Sequence, residues 1–204
     1  MLKLKPKYAI VIGLAGLNMA AFTLPFFASA DTQTTNTAIS LSVSPVLTTY
    51  SSGPTVALGS IVPDSTGRQS IASDTISAST NDSAGLTISL QETSAVSTAM
   101  ISGANTIPTS AGTTGTPIAL INSTWGFRVD GLAGFGSGPT SSQTNIAPST
   151  STYAAIPPNG TPFTIKSTAT NGAANQTVWY SARVNSTQVN GTYATTVTYT
   201  YTTN

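Results

Sequence analysis

Cysteine and histidine are absent from the 204 residues, and only 6% of the chain is charged. A typical globular chain carries about 25% charge. Without cysteine no disulfide forms, and a zinc site built from Cys or His ligands is excluded. The Ser-His-Asp and Cys-His nucleophiles are excluded for the same reason. A formal charge of +1 is too small for the phosphate neutralisation that drives nucleic-acid binding, so no nucleic-acid partner is expected. The low charge does not imply disorder, because 39% of the chain is hydrophobic and the net charge is near zero.

The acids are as sparse. Asp31, Asp64, Asp74, Asp82, Glu92 and Asp130 are the complete set. Glycoside hydrolysis needs two carboxyl groups at a set separation, and no spacing here marks such a pair. No enzymatic activity and no cofactor are expected. Asp64, Asp74 and Asn81-Asp82 are oxygen donors near turns, which suits calcium. Yet Asp and Asn in turns usually bond their own backbone, and no metal site is expected.

What is present begins with a targeting pattern. Lys3, Lys5 and Lys7 precede an apolar run from Tyr8 to Phe27, and Ala28-Ser29-Ala30 follows Pro25. A positive start, an apolar stretch and an A-x-A site make a secretory signal peptide cleaved after Ala30, with Ala28 and Ala30 as the small residues of the site. The run is also long enough to span a bilayer, so an uncleaved anchor is the other reading. Contact with a membrane is expected only through this segment. Cleavage leaves Arg68, Arg128, Lys166 and Arg183 against all six acids, hence a net negative domain over 31–204.

That domain alternates with period two. Ile39, Leu41 and Val43 interleave with serines. The same alternation runs through Val56-Leu58, Leu86-Ile88-Leu90, Trp125-Phe127-Val129, Val178-Tyr180-Ala182-Val184 and Val197-Tyr199-Tyr201. Each reads as a strand with one buried face and one wet face. Residues 69–79 form a weaker strand whose phase slips between Ile71 and Ile76, as a bulge would cause. No apolar pattern of helical spacing follows the signal. Asn190-Gly191 before the last strand is a hairpin signal. Short strands between dense turn residues predict a single antiparallel β-sandwich, Ig-like or jelly-roll-like with Greek-key connections. Residues 102–117 and 131–160 read as non-strand. The second loop carries Leu132, Phe135, Ile146, Tyr153 and Ile156, which are expected to pack back onto the sandwich.

Three passages together carry a resemblance. Ser79-Thr80-Asn81-Asp82-Ser83-Ala84-Gly85 leads into Leu86-Thr87-Ile88-Ser89-Leu90. Thr124-Trp125-Gly126-Phe127 stands in mid-chain. Asn190-Gly191-Thr192-Tyr193 leads to Thr196-Val197-Thr198-Tyr199-Thr200-Tyr201. In this order they resemble a group of small secreted bacterial surface proteins. The ending is similar to that of spore-coat-U-type and fimbrial subunits, and the T-N turn and Trp strand are similar to WxL-type wall-binding domains. The resemblance implies an extracellular β-sandwich with a structural, adhesive or wall-associated role. The chain departs from these families in lacking the fimbrial Cys pair, a second WxL-type tryptophan motif and a Leu-Pro-x-Thr-Gly sorting signal.

The candidate sites follow. Ile39, Leu41 and Val43 form an amphipathic N-terminal strand that either belongs to its own sandwich or completes a neighbour's sheet. Trp179 is out of phase with Val178 and Tyr180, so it is the best candidate for an exposed aromatic; the alternative reading has it contact glycan together with Phe135 and Tyr153 of the long loop. Trp125 is expected in the core. Lys166 and Glu92 are the lone lysine and glutamate of residues 31–204. They read as solvated side chains, although a Lys–Asn cross-link beside a buried acid is a conceivable alternative. Triplets such as Asn122-Ser123-Thr124 and Asn185-Ser186-Thr187 matter only in a host that glycosylates Asn. The expected function is that of a non-enzymatic, secreted cell-surface subunit, structural or adhesive, with its own copies as partner. The alternative is a monomeric wall- or glycan-binding module.

Overall fold

The computed structural model describes residues 38–132, 134–135 and 137–204. The signal segment, its cleavage residues Ala28 and Ala30, and residues 31–37 lie outside the described residues. The chain divides into two units, Met1–Ser42 and Val43–Asn204. The described part of the first, residues 38–42, carries no strand.

The second unit is all-β and antiparallel. Its strands are β1 (Leu47–Ser51), β2 (Arg68–Thr80), β3 (Leu86–Glu92), β4 (Met100–Ser102), β5 (Asn105–Ile107) and β6 (Ile118–Ala119). There follow β7 (Thr124–Arg128), β8 (Gln143–Ile146), β9 (Thr152–Tyr153), β10 (Phe163–Ser167), β11 (Gly172–Val184) and β12 (Val197–Thr203). The larger sheet runs β1-β2-β11-β7, with β8 also on β2; the smaller runs β10-β3-β12. The ladder between β2 and β11 is unbroken over all 13 residues of each strand.

The two sheets share one core, consistent with a β-sandwich. Ile76, Ala78 and Val178 of the larger sheet join Leu86, Ile88 and Leu90 of the smaller in a single apolar cluster. These are the in-phase residues of each strand, so alternation alone orients them. Phe135 of the long loop enters the same core. Its ring centroid lies 5.2 Å from that of Phe127 and 6.3 Å from that of Phe163.

Several local expectations are corrected. Ile39, Leu41 and Val43 form no strand, and neither do Val56 and Leu58. No bulge separates Ile71 from Ile76 in the ladder with β11. Ile76 faces the core, while Ile71 is buried on the opposite face of β2, so both phases are apolar. The register shift of β2 lies on its β8 side. Asn190-Gly191 is no tight hairpin, because β11 and β12 lie in different sheets. The connection is closed instead by Tyr193, whose hydroxyl donates to Val189 O at 2.7 Å and accepts from Gln188 Nε2 at 2.7 Å. Residues 102–117 contain β5, and 131–160 contain β8 and β9.

The long loop packs back as expected: Phe135, Tyr153 and Ile156 are buried. It covers the outer face of the larger sheet, and the cover is polar. Arg128 on β7 sits opposite Trp179 on β11 and is 0% exposed. Its guanidinium carbon is 5.3 Å from the Trp179 ring centroid and 5.6 Å from that of Tyr153. Nε stands 2.6 Å from Asp130 Oδ1, and Nη2 donates to Pro139 O at 2.8 Å. A cation held between two aromatic faces and a carboxylate is stabilised where it lacks water. Gly138 is required here, since a Cβ would overlap Arg128 Nη1. Beside this cluster Gln69 donates to Ser181 Oγ at 2.9 Å and accepts from Ser149 N at 2.7 Å.

Removing one partner of a buried ion pair leaves the other without compensation. Arg128→Ala is therefore expected to lower unfolding free energy by about 3 kcal/mol, read from the urea midpoint. A red shift of Trp179 fluorescence in the folded state should accompany it. An unchanged midpoint would show that the cover is held by its apolar residues alone.

Candidate functional site

The first feature is the N-terminal arm. Ile39, Leu41 and Val43 are 94%, 89% and 74% exposed. Val46 continues the apolar residues and is exposed too. Isolated surface apolar residues are ordinary, but four within residues 39–46 are a patch that water disfavours. Among the described residues, the arm is fastened at its end: Val46 N donates to Asn81 Oδ1 at 2.6 Å, and Asn81 Nδ2 donates to Ser44 O at 3.2 Å.

The second feature is a groove of about 680 Å³. One wall is a strap of residues 53–59, and the other is residues 192–197 with Tyr199. Asp74, Met100, Trp125 and Tyr180 line it further. The strap holds Val56 and Leu58 half-buried against the core. Among the described residues, no hydrogen bond reaches the backbone of residues 54–61. The facing wall leads into β12, which pairs with β3 on one side and has no strand on the other among the described residues.

Polar groups fix the groove. Asp74, buried on β2, accepts from Ser52 Oγ at 2.7 Å, Ser51 Oγ at 2.9 Å and Ser52 N at 3.2 Å, which anchors the start of the strap. The Tyr180 and Tyr199 hydroxyls meet at 2.7 Å and tie the two sheets together. Burial raises the pKa of both phenols well above the usual tyrosine value, and the Asp74 carboxylate adds to this. Glu92 is fully buried, contrary to the expectation of a solvated side chain. It accepts from Thr195 Oγ1 at 2.9 Å, while its Oε2 has no partner among the described residues. Position 92 continues the phase of Leu86, Ile88 and Leu90, and that phase is the signal by which its burial was readable.

The third feature lies beside Trp179. A hollow of about 410 Å³ is lined by Asp130, Thr140, Asn175, Gln176, Thr177 and Trp179. The expectation of an exposed Trp179 is corrected: it is 5% exposed, because Arg128 and the long loop cover its face. Phe135 and Tyr153 are wholly buried, so neither reaches the surface to touch a ligand. The structure thus does not bring Trp179, Phe135 and Tyr153 together as an open site. Trp125 is in the core, with Nε1 donating to Thr98 O at 2.9 Å.

The remaining candidates are occupied with their own neighbours. Asp64 accepts from Thr66 Oγ1 and Gly67 N, and these bonds lower its pKa, the Thr66 hydroxyl first. Asp82 accepts from Ala84 N. Among the described residues, no three acidic groups converge as a metal site. Lys166 lies half-buried on β10 opposite Ile88. Comparison with protein-family models, with curated proteins and with solved structures finds no match in any of the three.

The Tyr180–Tyr199 bond yields a pH prediction. An unfolded tyrosine loses its proton near pH ~10. The folded pair keeps its protons to higher pH, so above that point the unfolded chain binds fewer protons and stability falls as pH rises. Urea midpoints should be flat below about pH 9 and decline beyond about pH 10. The double variant Tyr180→Phe with Tyr199→Phe should show a smaller decline. An equal decline in both proteins would remove this pair as its source.

Proposed function

We propose that this chain is an exported, non-enzymatic subunit of the cell surface that assembles with its own copies through the N-terminal arm. The observation that carries the reading is the exposure of Ile39, Leu41 and Val43 in strict alternation with serines. A row of this kind has the pattern of a strand with one face meant for burial. The described residues of the same chain do not bury it. A second copy supplies a surface at the same concentration, in the manner of strand addition. The lysine-led apolar N-terminus with its A-x-A site supports export, and the resemblance to fimbrial and spore-coat-U-type endings supports a structural or adhesive role. Within this reading the sandwich is of Greek-key type, Ig-like or jelly-roll-like, and its signal peptide is removed after Ala30.

A second reading, a monomeric wall- or glycan-binding module, has the hollow beside Trp179 in its favour. Aspartate, amide and hydroxyl groups around the edge of an indole suit a sugar. The nearly complete burial of Trp179 limits the stacking area, so the assembling subunit is preferred.

Light scattering and negative-stain microscopy of the protein released without denaturant test the choice. Oligomers or filaments are expected, and Ile39→Asp with Leu41→Asp and Val43→Asp should abolish them. Diluted until both proteins are monomeric, the two should share one thermal midpoint, since these side chains are exposed and none belongs to the core cluster. A monomer at all concentrations that binds isolated wall would favour the second reading.

A further inference from the structure

Asn-Gly occurs three times in residues 38–204, as Asn159-Gly160, Asn171-Gly172 and Asn190-Gly191. We propose that Asn190 is a site of spontaneous modification, where the folded protein deamidates to aspartate and isoaspartate ahead of Asn159 and Asn171. No assembly is needed for it.

The reaction uses only the chain and water. The Gly191 amide nitrogen gives its proton to hydroxide and attacks Asn190 Cγ. A nitrogen–carbon bond closes a cyclic imide, the Cγ–Nδ2 bond breaks, and Nδ2 takes a proton from water and leaves as ammonia. Water then adds at either imide carbonyl and opens the ring. One opening gives aspartate. The other gives isoaspartate, whose main chain runs through the side-chain carbon. Glycine favours the attack because no Cβ screens its nitrogen and its backbone turns freely. The ring closes only where that N–H is free and the side chain can swing onto it, so hydrogen bonds decide which pair reacts.

At Asn159-Gly160 both reacting groups are engaged. Asn159 Nδ2 donates to Thr93 O at 2.8 Å, and Gly160 N donates to Gln91 Oε1 at 3.0 Å. Thr161 closes the turn further, its N and Oγ1 donating to Pro158 O at 3.1 and 2.9 Å. At Asn171-Gly172 the glycine is the first residue of β11, opposite Thr80, so ring closure must lift the end of the ladder. Asn190 and Gly191 are both exposed and lie in no strand. Among the described residues, no hydrogen bond reaches the Asn190 side chain or Gly191 N. The loop is held on either side instead, by Tyr193 Oη on Val189 O and by the paired bonds between Ile101 and Ala194. Residues 190–192 are the slack between these clamps, where local motion costs least.

The product changes the charge of this region. Residues 184–204 carry no charged side chain, so deamidation places their first carboxylate, next to the groove wall at Thr192 and Tyr193. Isoaspartate also adds a methylene to the main chain inside the loop that Tyr193 closes. The protein thereby carries a record of its age at one position.

Peptide mapping tests the site. Folded protein is aged at mildly alkaline pH, then denatured and cut with trypsin. Cleavage after Arg128, Lys166 and Arg183 puts Asn159, Asn171 and Asn190 on separate peptides, 129–166, 167–183 and 184–204. Deamidated and isoaspartyl forms are resolved by chromatography and mass spectrometry. The expected order of conversion is Asn190, then Asn171, then Asn159. Asn159 should lag Asn190 by on the order of tenfold or more, since two hydrogen bonds must open first. In guanidinium chloride the three should react at comparable rates, which shows that the fold sets the order. Asn190→Gln, at an exposed position, should leave 184–204 unconverted, because the longer side chain closes the ring poorly. Conversion of Asn159 or Asn171 as fast as Asn190 in the folded protein would overturn the proposal. So would an Asn190 that reacts only in guanidinium chloride, or conversion of 184–204 that persists in the Asn190→Gln protein.

Discussion

Thirteen consecutive residues of β2 pair with thirteen of β11 without a shift, and both faces of that ladder are covered over much of its length. The inner face supplies Ile76, Ala78, Val178 and Ala182 to the shared core. The outer face carries Gln69, Ile71, Trp179 and Ser181, all buried. Everything else is arranged on this ladder. β7 and β1 extend it sideways, the long loop closes its outer side, and the Tyr180–Tyr199 hydroxyl bond joins it to the smaller sheet. A chain without cysteine has no disulfide to hold it, so its stability rests on packing and hydrogen bonds, and this ladder supplies many of both.

Few charges are present, and several serve the interior. Arg128 and Asp130 bind the long loop to β7 and β11. Arg183 donates to Asn122 Oδ1, Leu120 O and Thr66 O, fastening two connections at once, β6 to β7 and β1 to β2. Asp74 holds the start of the strap. The surface is left to hydroxyls and amides, which hydrogen-bond water without the long-range repulsion that separates charged proteins. On such a surface an unpaired apolar row meets little electrostatic opposition to association.

The strands with one wet face were legible in the sequence. β3, β11 and β12 alternate because one side of each meets the core and the other meets solvent or a polar cover. β2 was harder. Its two apolar phases, Ile71 outward and Ile76 inward, look like a slip when the outer cover is not known. That cover comes from residues 131–160, distant in sequence, and so does the burial of Arg128 and Trp179. Period two says which side a residue faces and nothing about what lies on that side. Glu92 was legible from its phase; the groove was not. It forms where the strap, the chain before β12 and the edges of both sheets meet, and no local pattern records that meeting. The arm had two readings that bury the same face. The structure places Ile39, Leu41 and Val43 in no strand and leaves them exposed, and no local pattern foretold that.

Backbone hydrogen exchange of residues 39–46, followed by mass spectrometry at low and high protein concentration, tests the central claim most directly. The account predicts rapid exchange of the arm in the dilute monomer and strong protection of it in the assembled state. Protection of the arm already in the dilute monomer would contradict it, and so would an assembled state in which the arm still exchanges freely.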